Sequence, residues 1–129
     1  MHDLKVSSVH IDDMEWIEST SPITGKGFLN KILVSAENGD GIDILYMIYP
    51  KGYKTVWHTH HCSHGIFVLE GTLKTHEGLY GPGTFVWFPE GILHEHGATD
   101  EEDAKFLFIT NKAFDIAYCG SNYEISYKK

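Results

Sequence analysis

Short apolar segments separated by turn residues run along the whole chain, and the alternation of apolar and polar positions within them predicts β-strands. Strands are predicted over residues 28–36, 42–49, 55–60, 64–71, 72–80, 84–88, 92–98, 104–110 and 114–119, with 72–80 forming a hairpin that turns at Glu77 and Gly78. One helical turn is predicted within residues 11–20. Many short strands and almost no helix predict an antiparallel sandwich or barrel.

Aromatic side chains within these strands are predicted to form much of the core. They are Phe67, Phe85, Trp87, Phe106 and Phe108, and some of them would line an apolar pocket. Sheet edges with apolar side chains invite aggregation, so we expect either closure of the barrel or pairing of two copies.

The composition is that of one globular domain without a nucleic-acid or membrane partner. The chain has 129 residues, is 42% hydrophobic and carries a formal charge of -8. It has no basic stripe, which argues against binding to a phosphate backbone. No apolar run approaches the roughly 18 residues of a membrane helix, and the N-terminus lacks the apolar region of a secretory signal. Cys62 and Cys119 form no CxxC pair, so we expect a cytoplasmic protein with free thiols.

The segment WHTHHCSHG, residues 57–65, contains four histidines. Alternate side chains of a strand share a face, so His58 and His60 are expected to point into the barrel and His61 toward solvent. His64 begins the next predicted strand. It returns to the same interior if the chain turns in the intervening residues.

A second histidine pair, His94 and His96, has the same spacing and follows the turn at Pro89. Two separate hairpins are therefore expected to aim histidines at one point. Imidazole is a ligand that suits Fe, Cu, Ni, Zn and, less selectively, Mn. The alternative is a set of buried histidines that only make hydrogen bonds.

Two segments at fixed separation match the motifs of a known superfamily. Residues 52–71 read GYKTVWHTHHCSHGIFVLEG, which follows the first cupin motif with His64 in place of its Glu. Residues 83–98 read GTFVWFPEGILHEHGA, which follows the second motif with Ala98 in place of its Asn. The chain thus resembles the cupins. The resemblance implies one all-β domain over residues 1–129, a double-stranded β-helix or jelly-roll barrel.

The matching positions imply four metal ligands, which are His58, His60, His64 and His94. Because His64 stands where the family has Glu, all four ligands would be neutral and a divalent ion would keep its full charge. That charge favours an anionic chelating substrate such as an enolate. Alternatively, His64 orients a ligand or hydrogen-bonds a bound substrate. His96 shares a face with His94, so we expect either an acid or base in the pocket or a polar residue at its rim.

A narrower resemblance extends over nearly the whole chain. Segments such as YPKGYKTVWHTH and YGPGTFVWFPEGILHEH, residues 49–60 and 80–96, are similar to one cupin subgroup. That subgroup contains acetylacetone-cleaving dioxygenases, 2,4'-dihydroxyacetophenone dioxygenases and the cupin domains of anti-sigma factors. It implies a homodimer with a small-molecule substrate and a divalent metal, with Fe(II) favoured over Mn, Zn, Ni or Cu.

The function predicted from this resemblance is oxidative C–C cleavage of a small β-diketone, hydroxyketone or enol that chelates the metal. Two alternatives stay open, because members of one fold differ in function. One is a metal-sensing or ligand-sensing module without catalysis. The other is an isomerase or hydrolase that uses the metal without redox chemistry.

Overall fold

The computed structural model of the protein describes residues 4–21, 24–38, 41–119 and 125–128, the side chains of 116–119 and 125–128 excepted. Within this part of the chain the fold is almost entirely β. The strands are β1 (Ile17–Thr20), β2 (Gly27–Val34), β3 (Ile44–Tyr49), β4 (His58–Thr59), β5 (His64–Glu70), β6 (Leu73–Thr75), β7 (Gly78–Tyr80), β8 (Phe85–Phe88), β9 (His96–Ala98), β10 (Ala104–Thr110), β11 (Ile116–Cys119) and β12 (Ile125–Lys128). One 3-10 turn, Ile11–Asp13, precedes them. In the residues described, no helix has the length and hydropathy of a membrane span.

The strands form three sheets, in which every pairing is antiparallel. The largest has the order β1-β2-β3-β10-β5-β8, and two three-stranded sheets have the orders β12-β11-β4 and β7-β6-β9. The all-β antiparallel architecture predicted from the alternation is therefore confirmed.

The predicted strand boundaries agree best where the alternation is longest. Residues 104–110 form β10 as predicted. Residues 55–60 were predicted as one strand, but only His58–Thr59 belong to β4. Residues 11–20 contain the expected helical turn only at Ile11–Asp13, and then β1, which pairs with β2.

The core lies on the inner face of the six-stranded sheet. Alternate residues of β3, β5 and β10 fill it, namely Met47, Tyr49, Ile66, Val68, Phe106 and Phe108. Burial of these apolar side chains is the main favourable contribution to folding. Phe106 and Phe108 are therefore core residues, as predicted.

The prediction that Phe85 and Trp87 belong to the core is wrong, because they are 53% and 51% exposed. Strand β8 alternates, and its inward positions are those of Val86 and Phe88. Phe67, which pairs with Phe85 across the sheet, is only partly buried. All four residues of β8 are apolar, so the sequence pattern could not distinguish the two faces.

Candidate metal centre

Five histidine rings meet inside the barrel, and none is more than 4% exposed. The ring centroids of His58 and His94 are 4.3 Å apart, and those of His58 and His60 are 4.8 Å apart. His96 lies 5.0 Å from His58, and His64 lies 4.6 Å from His60. The alternation argument is confirmed for both histidine pairs, which point into one interior from separate segments.

Backbone hydrogen bonds hold the two segments side by side. His58 and His94 form an antiparallel bridge, in which each amide donates to the other carbonyl at 2.9 and 3.0 Å. The amide of Gly91 donates to the carbonyl of His60 at 3.0 Å. The amide of Thr55 donates to the carbonyl of His96 at 2.9 Å. These backbone hydrogen bonds fix the positions of the histidines relative to one another.

Two of the rings are oriented in the same way by the local backbone. The Nδ1 atom of His58 lies 2.7 Å from the carbonyl oxygen of Val56, and that of His94 lies 3.0 Å from the carbonyl oxygen of Ile92. A carbonyl only accepts, so Nδ1 carries the proton in each ring and donates it. The neutral ring then has its lone pair on Nε2.

His60 and His96 are also held through Nδ1. The Nδ1–H of His60 donates to the backbone carbonyl of Asp115. Nδ1 of His96 is hydrogen-bonded to the hydroxyl of Tyr49 at 2.9 Å. Metal-bound histidines commonly engage their second nitrogen in this manner, which fixes the ring orientation and the tautomer.

The opposite ring nitrogens form the candidate site. The Nε2 atoms of His60, His94 and His96 are buried and have no hydrogen-bond partner among the described residues. A polar atom left in this state costs about 1–3 kcal/mol. One ring nitrogen from each of His58, His60, His94 and His96 lies within 4.8 Å of the others. Neutral imidazoles with inward lone pairs fit a divalent metal, so these residues could hold one.

Burial keeps all five rings neutral near pH 7. It lowers the pKa of every one of these histidines, and for His94 the pKa falls to about 4. Neighbouring rings lower the pKa of His58, His64, His94 and His96 further, because two imidazolium charges at this distance would repel each other. A metal would therefore compete with few protons for these nitrogens at neutral pH.

His64 adjoins the group of four and does not belong to it. Its ring is stacked between Phe88 and Phe108, with centroid distances of 4.6 and 4.7 Å. Both of its ring nitrogens are buried without a hydrogen-bond partner among the described residues. Its centroid is 5.1 Å from that of His94. Its expected role as a ligand stays a prediction.

His96 is buried in the cluster, so it is not the rim residue that the sequence left as an alternative. The sequence analysis also missed Tyr49, which holds the ring of His96. Its alternation with Met47 in β3 was the available signal that Tyr49 faces inward.

His61 is exposed, as predicted, and Cys62 is a buried free thiol whose pKa is raised by burial. The side chain of Cys119 lies outside the described residues.

A cavity of about 450 Å³ adjoins the cluster. His58, His60 and His96 form one side of it, and β1, β2 and β3 supply much of the remaining wall. Its lining includes the partly exposed Ile32 and Phe114, so the cavity reaches the surface. Sites for small organic molecules typically have this size, about 300–1,000 Å³.

Comparisons with solved structures agree with this fold. The polyketide cyclase RemF from Streptomyces resistomycificus is 22% identical, with a TM-score of 0.69 over 82% of this chain and 79% of the other. A provisionally assigned acetylacetone dioxygenase from Methylibium petroleiphilum PM1 is 13% identical, with a TM-score of 0.80 over 98% and 89%. At such identities the likeness concerns the fold alone.

Rhodobacter sphaeroides SigE in complex with the anti-sigma ChrR is a third similar structure. The match has 20% identity and a TM-score of 0.64, and it covers 79% of this chain and 52% of that chain. No curated protein matches the sequence. The family model of the ChrR Cupin-like domain matches residues 5–115. The cupin fold inferred from the two motifs is thereby confirmed, and the chain belongs to the ChrR cupin-like family.

Proposed function

We propose that the protein is a metal-dependent dioxygenase that cleaves a C–C bond of a small β-diketone, hydroxyketone or enol. One observation carries the proposal. The buried Nε2 atoms of His60 and His96 have no hydrogen-bond partner among the described residues, and both histidines line a cavity of about 450 Å³. A ligand site next to a binding cavity is the arrangement that such a reaction needs.

The proposed ligands are His58, His60 and His94, with His96 as the fourth. The shared 4.8 Å grouping and the hydrogen bond between Nδ1 of His96 and the hydroxyl of Tyr49 support His96 in this position. The set implied by the sequence motif has His64 instead, and the two sets differ only in this member. An acid or base role for His96 also stays a prediction.

Held by His58, His60, His94 and His96, a redox-active divalent ion such as Fe(II) would supply Lewis acidity and a path for electrons, and the substrate itself would provide the four electrons that dioxygen takes up. The chain itself would orient the ligands through the carbonyls of Val56 and Ile92. Phe88 and Phe108 would exclude water from the side of the cluster at His64, since both rings are buried and stack on the ring of His64. Because the rings are neutral, the full positive charge of the ion would remain available to attract an anionic substrate.

Oxygen consumption by metal-loaded protein tests the proposal. Metal content is measured first by elemental analysis, on protein purified without a His tag or chelators. Fe(II)-loaded protein is then given a panel of β-diketones, α-hydroxyketones and enols under isotopically labelled dioxygen. We expect uptake of oxygen, and two carbonyl products that together contain both labelled atoms.

The controls separate catalysis from adventitious iron. His60→Ala should abolish uptake, whereas His10→Ala, which removes an exposed histidine outside the cluster, should preserve it. Absence of uptake over the whole panel, by protein shown to contain iron, would contradict the proposal. Activity with Zn that needs no oxygen would instead support the isomerase or hydrolase alternative.

A second candidate function is a sensing module without catalysis. The family model is that of the ChrR Cupin-like domain, and ChrR is the anti-sigma partner in the SigE complex. A protein partner is therefore possible for this chain. Recovery of a transcription regulator on immobilised protein, released when the metal is removed and restored with it, would favour this function.

A further inference from the structure

The β1–β2 region contributes a strip of polar side chains to the wall of the cavity. The strip consists of Ser19, Ser21 and Asn30. Asn30 is 5% exposed. Its Nδ2 donates to the hydroxyl of Ser19 at 2.9 Å and to the carbonyl of Ile17 at 3.3 Å.

These contacts decide which end of the Asn30 amide is left for a ligand. A backbone carbonyl only accepts, so the nitrogen must be the atom that faces Ile17 in β1. The remaining atom, Oδ1, accepts no hydrogen bond from the described residues. The amide of Asn30 therefore offers an acceptor to the cavity.

The charges of the lining disfavour ligands whose body carries a negative charge. No lysine is found among the residues that line the cavity within the described part of the chain, and the sequence contains no arginine. Asp43 is the charged residue of the lining, and its carboxylate is held by the amides of Ala36 and Phe114 at 2.8 and 2.7 Å. An anionic group on the body of a ligand would lose its hydration without gaining a cation.

The rest of the lining is largely apolar, with Phe28, Leu45, Met47 and Phe108 among its members. We propose that the cavity selects ligands with an uncharged, mainly apolar body that carries a hydroxyl or N–H donor for Asn30. Any negative charge is confined to the atoms at the histidine cluster. The inference rests on the proposed function in one respect, since it assumes that a chelating group binds at that cluster.

Three probes with one chelating group test the selection. Benzoylacetone, its para-hydroxy derivative and its para-carboxy derivative are titrated calorimetrically into metal-loaded protein under argon. The para-carboxy probe is expected to bind at least about 30-fold more weakly than benzoylacetone, because its charge is buried unpaired. The para-hydroxy probe is expected to bind about 3- to 10-fold more tightly.

Substitution of the amide tests the residue. Asn30→Leu has a similar volume and should remove the difference in affinity between the para-hydroxy probe and benzoylacetone. Asn30→Lys should recover much of the affinity for the para-carboxy probe. Asn38→Leu changes an exposed asparagine and should alter none of these values. If a variant at Asn30 does not fold, the wild-type series still tests the charge selection.

Three results would overturn the inference: para-carboxy binding within threefold of benzoylacetone, a hydroxyl preference that survives Asn30→Leu, or failure of all three probes to bind. The outcome is independent of turnover, because oxygen is absent. Binding in the expected order by protein that consumes no oxygen would contradict the proposed dioxygenase and leave the selection intact. Oxygen uptake with an equally good para-carboxy substrate would support the proposed dioxygenase and contradict the selection.

Discussion

At the residue scale, the ring nitrogens decide which histidines suit a metal. The alternation predicted that His58, His60 and His94 face inward, and they do. It could not distinguish His96 from His64 as the fourth member, because this depends on contacts between distant segments. The hydrogen bond with the hydroxyl of Tyr49 orients the ring of His96, whereas stacking between two phenylalanines holds the ring of His64.

Substitution of each of these two histidines separates the ligand sets. We expect His96→Ala to weaken metal binding more than Tyr49→Phe, which should cost about 10- to 100-fold in affinity through the lost orientation of His96. His64→Ala should retain metal. Affinity is measured by competition with a chromophoric chelator, with His10→Ala as the control. Retention by His96→Ala and loss by His64→Ala would instead support the set implied by the sequence motif.

At the element scale, close packing at glycines fixes how strands approach each other. A Cβ at Gly65 in β5 would lie 2.2 Å from the ring of Phe85, which is half exposed. A Cβ at Gly97 in β9 would lie 2.2 Å from the backbone oxygen of Tyr53. The sequence predicted these strands but not their partners, since cross-strand neighbours depend on register.

The same substitution at the two glycines should therefore have unequal effects on stability. Gly65→Ala should cost about 1 kcal/mol, because the ring of Phe85 can swing toward solvent. Gly97→Ala should cost about 3 kcal/mol or more, because backbone must move. Urea denaturation measures both.

The double variant Gly65→Ala/Phe85→Ala provides the control. Removal of the ring should cancel most of the cost of the added methyl group, which a double-mutant cycle detects as coupling. Equal costs at Gly65 and Gly97, or no coupling between Gly65 and Phe85, would contradict this account of the sheet packing.

At the scale of the whole molecule, burial of five neutral histidines links folding to pH. Their pKa values are lowered in the folded state, so below about pH 6.5 the unfolded chain binds more protons.

The homodimer and the cytoplasmic location inferred from the sequence stay predictions at this scale. The exposed pair Phe85 and Trp87 on the edge strand β8 is one surface on which two copies could meet.

The metal-free protein should consequently lose stability in acid. Full stability is expected above about pH 6.5, and each buried histidine should remove about 1.4 kcal/mol per pH unit below it. For His94 the loss continues to about pH 4, where its folded form takes up a proton. Urea denaturation of the chelator-treated protein at several pH values measures the slope. His64→Phe should reduce that slope by one proton, and a slope near zero for the wild type would contradict the prediction.

The cavity that adjoins the cluster also determines the order in which a metal ion and an organic ligand can bind. The histidine nitrogens are buried, and this cavity leads from the surface to three of the rings. An ion that enters along it must arrive before an organic ligand that fills the same passage. Once seated, the ligand would stand between the ion and the solvent. A ligand bound in the cavity would then limit the dissociation rate of the ion. An external chelator would remove the ion only as fast as the organic ligand dissociates.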